Sequence, residues 1–189
     1  MPFELYQTNS GSRGSMAEVW IDSARGICKK FYKPNGITIR GSAPLHVEQD
    51  QISALYQNEI KWSSQLNHDC VIKIYEHGPL LDQFGYYILQ EYVGPDLLHY
   101  YDNVSRLTHV IPDAVEQLVD MFKLFKQHNL YKCNNAMCNL THKDGKIKAF
   151  DFKYAVDRSP NHLHWEEKTI NEWLSKIEPD IMTLLRPLL

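Results

Sequence analysis

The sequence predicts a mixed α+β fold, strand-rich over residues 1–93 and more helical over 94–189. Three observations predict it. Short β-prone runs separated by turn residues crowd the N-terminal half. Two longer stretches repeat apolar residues at helical spacing. An Asp-Gly pair later splits an alternating run into a hairpin.

The elements follow in chain order. Residues 17–21 (AEVWI) and 27–32 (ICKKFY) are strands joined by Asp22-Ser23-Ala24-Arg25-Gly26, whose composition suits a tight turn. Residues 46–66 place Ile52, Leu55, Glu59, Trp62 and Leu66 on one helical stripe. Glu59 falls on that stripe, where a carboxylate is costly without a cationic partner; the alternative is a Glu at the stripe's edge that reaches water. Residues 71–78 (VIKIYEHG) and 86–94 (YYILQEYVG) extend the sheet across a turn-rich connection. Residues 113–128 carry Val115, Leu118, Val119, Phe122 and Phe125 on one face, with Asp113 and Glu116 as an N-terminal cap pair after Pro112. Residues 140–152 form a hairpin turning at Asp144-Gly145, and two short helices over 165–177 and 179–188 close the chain.

Composition narrows the function. A 189-residue chain with 43% hydrophobic residues can bury a core. Its net charge of -3 and pI of about 6.3 offer no basic field, so no nucleic-acid partner is expected. The N-terminal MPFELYQTNSGSRG lacks a basic stretch followed by an apolar one, and no run approaches the roughly 20 apolar residues that span a bilayer. A cytoplasmic protein with no membrane partner is expected. Cys28, Cys70, Cys133 and Cys138 are irregularly spaced, which fits reduced thiols. Cys133 and Cys138, near His128 and His142, lack the paired spacing of structural zinc.

The order is thus hairpin, lysine-bearing strand, helix with an inward Glu, two strands, a long helix, an Asn-rich loop, and a hairpin ending in Asp151-Phe152. That order resembles the protein-kinase superfamily. The stretch GSMAEVW, the lysines of CKKFY, the Asn139 to Asp151-Phe152 hairpin and the helical tail from near Glu166 are similar to the minimal bacterial effector kinases of the OspG and NleH type. Short phage or viral kinase-like proteins present the same outline. The resemblance covers roughly residues 11–189 and implies a two-lobed kinase-like fold with a truncated helical C-lobe.

It also implies roles. Ser12-Arg13-Gly14-Ser15-Met16-Ala17-Glu18-Val19 resembles a glycine-rich phosphate cover, with Gly14, Ser15 and Val19 at the nucleotide. Lys29 is the favoured ATP lysine and the partner of Glu59; Lys30 is the alternative, because adjacent strand residues point to opposite faces. Glu91 and Val93 resemble the adenine hinge. Asn139 and Asp151 resemble the residues that hold Mg²⁺ (or Mn²⁺) beside ATP. Lys153 stands where the third residue of D-F-G is glycine. No A-P-E segment follows Asp151, so control through an activation loop is not expected.

Asn134 occupies the place of the catalytic Asp. An amide can hold a hydroxyl but cannot take its proton at neutral pH, and losing a general base costs about 10²–10⁴-fold. Two activities therefore compete: a kinase acting on a protein Ser/Thr hydroxyl, and a pseudokinase that binds nucleotide or a protein partner, in the host cytoplasm if the chain is an effector or viral protein. Small-molecule kinases of the aminoglycoside or choline type show H-G-D before the Asn, and this loop does not. An interaction module that binds no nucleotide is the remaining alternative.

Overall fold

Alternation along one strand sets the geometry of the N-terminal part. In ICKKFY the side chains of Cys28, Lys30 and Tyr32 are buried, while Ile27, Lys29 and Phe31 on the other face stay half-buried. The computed structural model describes residues 3–5, 17–34, 48–94, 96–97, 106–132, 139–162, 167–168, 171–172, 174–176 and 178–188. The fold is α+β, and the chain divides into two compact units. The first comprises residues 1–61 and 73–92, the second 62–72 and 93–189.

The first unit is built on a five-stranded antiparallel sheet. Its strands are β1 (Glu4–Leu5), β2 (Glu18–Asp22), β3 (Ile27–Tyr32), β4 (Ile74–Pro79) and β5 (Tyr86–Glu91), in the spatial order β1-β2-β3-β5-β4. Helix α1 (Gln49–Leu66) contributes its residues through Lys61. Ile52, Leu55 and Tyr56 of α1 pack with Tyr32 and Ile88 of the sheet. Tyr56 stacks on Tyr86 at 4.2 Å, and its hydroxyl meets His77 Nδ1 at 2.7 Å. The turn before β5 depends on Gly85, whose φ is +148°. A Cβ there would lie 2.5 Å from the Tyr32 carbonyl oxygen.

Strand β4 begins at Ile74, later than the expected 71. Val71 and Ile72 belong to the second unit, where the Ile72 N–H donates to the Ala149 carbonyl at 3.0 Å. Their backbone is used there, so it does not lengthen β4.

The second unit packs around helix α2 (Ala114–Gln127), which buries Leu118, Met121, Phe122 and Phe125. The expected cap at Asp113 makes no side-chain bond to the helix backbone. Its Oδ1 instead accepts from Gln117 Nε2 at 2.8 Å. Strand β6 (Leu130–Tyr131) pairs with β9 (Val156–Asp157), and β7 (Leu140–Lys143) pairs with β8 (Lys146–Ala149). The β7–β8 turn places Asp144 at φ 50° and Gly145 at φ 76°, the left-handed pair that a two-residue type I′ turn requires. Gln117 ties this turn to α2: Nε2 donates to the Gly145 carbonyl at 2.6 Å, and Oε1 accepts from the Ile147 N–H at 2.8 Å.

Residues 167–168, 171–172 and 174–176 are helical, within the expected 165–177. Helix α3 (Ile181–Leu185) and a 3₁₀ turn (Arg186–Leu188) cover most of 179–188. Among the described residues no helix is long and apolar enough to cross a membrane.

Candidate functional site

Strand β3 and helix α1 bring one ion pair into the interior of the first unit. Lys30 Nζ lies 3.2 Å from Glu59 Oε1, and the two side chains are 7% and 2% exposed. Glu59 is on the α1 stripe, one helical turn beyond Leu55 and Tyr56, so the helix that packs the core also aims the carboxylate. The expectation that Lys29 pairs with Glu59 is corrected: the partner is Lys30. Cys28 and Tyr32 carry their face of β3 into the core, and Lys30 goes with them. Lys29 points to the other face, where its ammonium lies 5.2 Å from the Phe31 ring centroid and 5.1 Å from that of Tyr87.

The pair is chemically unusual in one respect. Glu59 Oε2 is buried and has no hydrogen-bond partner among the described residues. An unmet buried acceptor costs about 1–3 kcal/mol, and a buried ion pair is a poor stabiliser even when fully satisfied. Burial also raises the thiol of Cys28, on the same face as Lys30, to about 11. Val19 sits directly across the β2–β3 ladder from Lys30.

The hinge candidates are partly engaged by backbone bonds. The Glu91 N–H donates to the Lys73 carbonyl at 2.8 Å, and the Tyr92 N–H donates to the Gly26 carbonyl at 2.8 Å. Val93 is buried. Gly14, Ser15 and Asn134 lie outside the described residues.

In the second unit the β7–β8 hairpin carries the two oxygen-bearing candidates. Just beyond its open end the Phe150 N–H donates to the Asn139 carbonyl at 3.1 Å, so the ladder sets Asn139 opposite Phe150, the residue before Asp151. Asn139 is buried. Asp151 adopts φ +65°, a conformation costing a non-glycine residue about 1–3 kcal/mol. Its neighbours hold it there. Phe152 is buried against Phe125 at a ring distance of 6.1 Å, and the Phe152 carbonyl accepts from the Ala155 N–H at 2.9 Å. Lys132 is fully buried, with its ammonium 5.2 Å from the Phe152 ring centroid.

Asp151 is also engaged from its own chain segment. Lys153 Nζ donates to Oδ1 at 2.6 Å and to Oδ2 at 2.5 Å, with the two side chains 13% and 14% exposed. The sequence shows Lys153 only as a replacement of the D-F-G glycine, not this contact. An acid and a base two positions apart, flanking an anchored Phe, was the available signal.

Among the described residues no group of three or more His, Cys, Asp or Glu side chains gathers as a metal cage. A magnesium ion needs none, because it takes one or two protein groups and completes its shell with phosphate and water. The oxygen donors of Asn139 and Asp151 are of the type such an ion takes. Comparison of the sequence with protein-family models and with curated proteins finds no match.

Proposed function

We propose that the chain is a minimal protein-kinase-like domain that binds Mg-ATP and transfers its γ-phosphate to a protein Ser/Thr hydroxyl, with the first unit as N-lobe and the second as C-lobe. The observation that carries this is the buried Lys30–Glu59 pair. A strand lysine and a helix carboxylate are held together in a buried setting with one carboxylate oxygen unmet among the described residues, an arrangement with little value for stability. Its value is positional. The carboxylate fixes the ammonium where a phosphate oxygen can share it, which is what phosphoryl transfer asks of a lysine.

The remaining roles follow from chemistry. Asn139 and Asp151 would hold the magnesium ion, which supplies charge neutralisation to the phosphates. Glu91 and Val93 are proposed to receive adenine, with Gly14, Ser15 and Val19 covering the phosphates. Asn134 would orient the substrate hydroxyl without removing its proton. Location in the cytoplasm and a protein substrate or partner belong to the same proposal.

A second reading, a nucleotide-binding pseudokinase that acts through a protein partner, is favoured by one observation. The Asp151 carboxylate is already paired with Lys153. Measurement of ATP binding and of phosphate transfer by the pure chain, with magnesium or manganese, separates the two. Transfer lost in Asp151→Asn supports the kinase. Binding without transfer supports the pseudokinase, and in that case Asn134→Asp is expected to raise transfer by restoring a base, by up to about 10²–10⁴-fold. Absence of nucleotide binding under every metal condition sinks both.

A further inference from the structure

The proposed role of Asp151 leaves one question open, which is what its carboxylate does before metal arrives. It has a resident cation. Lys153 Nζ bonds both oxygens, at 2.6 and 2.5 Å, in a setting where each side chain is less than one-sixth exposed. An ammonium within reach of both oxygens makes charge-assisted contacts, which are stronger than neutral hydrogen bonds. Solvent screening at that exposure is weak.

A divalent ion cannot simply join this arrangement. Magnesium sits about 2.1 Å from its ligand oxygen. A metal sharing an oxygen with Lys153 would then stand within about 5 Å of the ammonium, a like-charge contact in a poorly screened site. The two cations therefore compete for the same carboxylate. We propose that Lys153 is a built-in competitor for the divalent metal: its ammonium occupies Asp151 in the metal-free chain and must be displaced for the ion to bind. This rests on the kinase-like reading of Asp151.

The phosphates of an incoming nucleotide supply what draws Lys153 away. Leaving the carboxylate, the ammonium exchanges one anionic oxygen for another, so its charge stays compensated while Asp151 becomes open to the ion. Metal and nucleotide then load together rather than metal first. Lys153 is on this account a positioning residue that sets metal affinity, with no part in the bond-making step.

The test is a titration of Mn²⁺ into the full chain without nucleotide, with free Mn²⁺ read by electron paramagnetic resonance. Lys153→Met keeps the aliphatic stem and removes the charge. It is expected to tighten the Asp151-dependent Mn²⁺ site by at least about tenfold. Lys153→Arg keeps a cation on the carboxylate and is expected to retain the wild-type affinity, which also guards against an effect of packing. Equal Mn²⁺ affinity in wild type and Lys153→Met, with both lost in Asp151→Asn, overturns the competition while leaving the kinase reading intact. An Mn²⁺ signal indifferent to Asp151→Asn in either background removes that reading and the competition with it.

Discussion

Two adjacent lysines on β3 live in opposite surroundings. Lys30 is buried against Glu59, and Lys29 rests on the rings of Phe31 and Tyr87. Removing one member of a buried pair strands the other, at about 3–5 kcal/mol, whereas a half-exposed cation over aromatic rings contributes about 0.5–1 kcal/mol. Lys30→Met is therefore expected to lower the urea midpoint strongly and to abolish nucleotide binding, and Lys29→Met to do neither. Nucleotide binding that survives Lys30→Met but not Lys29→Met would return the role to Lys29. The sequence could show that only one lysine faces inward. It could not show which, because Ile27 and Phe31 flank Lys29 much as Cys28 and Tyr32 flank Lys30. Glu59 was legible because it interrupts an otherwise apolar stripe; its partner required the register of the sheet.

At the scale of elements, legibility followed length. The long helices α1 and α2 and the hairpins around Arg25-Gly26 and Asp144-Gly145 were readable from periodicity and turn chemistry. The two-residue strands β1, β6 and β9 were not, since two residues cannot display a period. Their pairing is decided by distant segments. The turn into β5 shows how a single position can govern an element. Gly85 combines a φ of +148° with a backbone oxygen 2.5 Å from any added Cβ, while the surroundings of Gly145 are open. Gly85→Ala is expected to cost about 1–3 kcal/mol and Gly145→Ala about 1 kcal/mol or less, measured by urea denaturation. Equal costs would show that backbone strain, and not the Tyr32 carbonyl, sets the effect.

The described residues form a core in each unit, and each unit holds an acid-sensitive group, Asp22 in the first and His142 in the second. Asp22, buried in the first, is held below its ordinary 3.8 by the hydrogen bond from the Arg25 side chain and then by the Arg25 backbone N–H. Its contribution is complete above 3.8 and is lost as pH falls below that value through the lowered folded pKa. His142, in the second unit, is held below its ordinary 6.5 by burial. Between 6.5 and that lowered value the unfolded chain takes up a proton that the folded chain refuses, so stability falls on acidification there as well. Two stages of destabilisation are expected: a first beginning near pH 6.5 that His142→Gln removes, and a second below about pH 4 that Asp22→Asn removes. A urea midpoint that stays flat from pH 7 to pH 5 would discount the histidine.

Gln117 gives the second unit a mechanical character. With one amide it grips the Gly145 carbonyl and the Ile147 N–H, doing for the tip of the β7–β8 hairpin what a neighbouring strand would do. The hairpin is thus held at both ends, at its turn by Gln117 and at its open end by the Leu97 N–H on the Leu140 carbonyl and the Ala149 N–H on the Cys70 carbonyl, each at 2.8 Å. Slackening the pin at Gln117 would therefore loosen the turn first, while the bonds at the open end keep the backbone beside Asn139 in place.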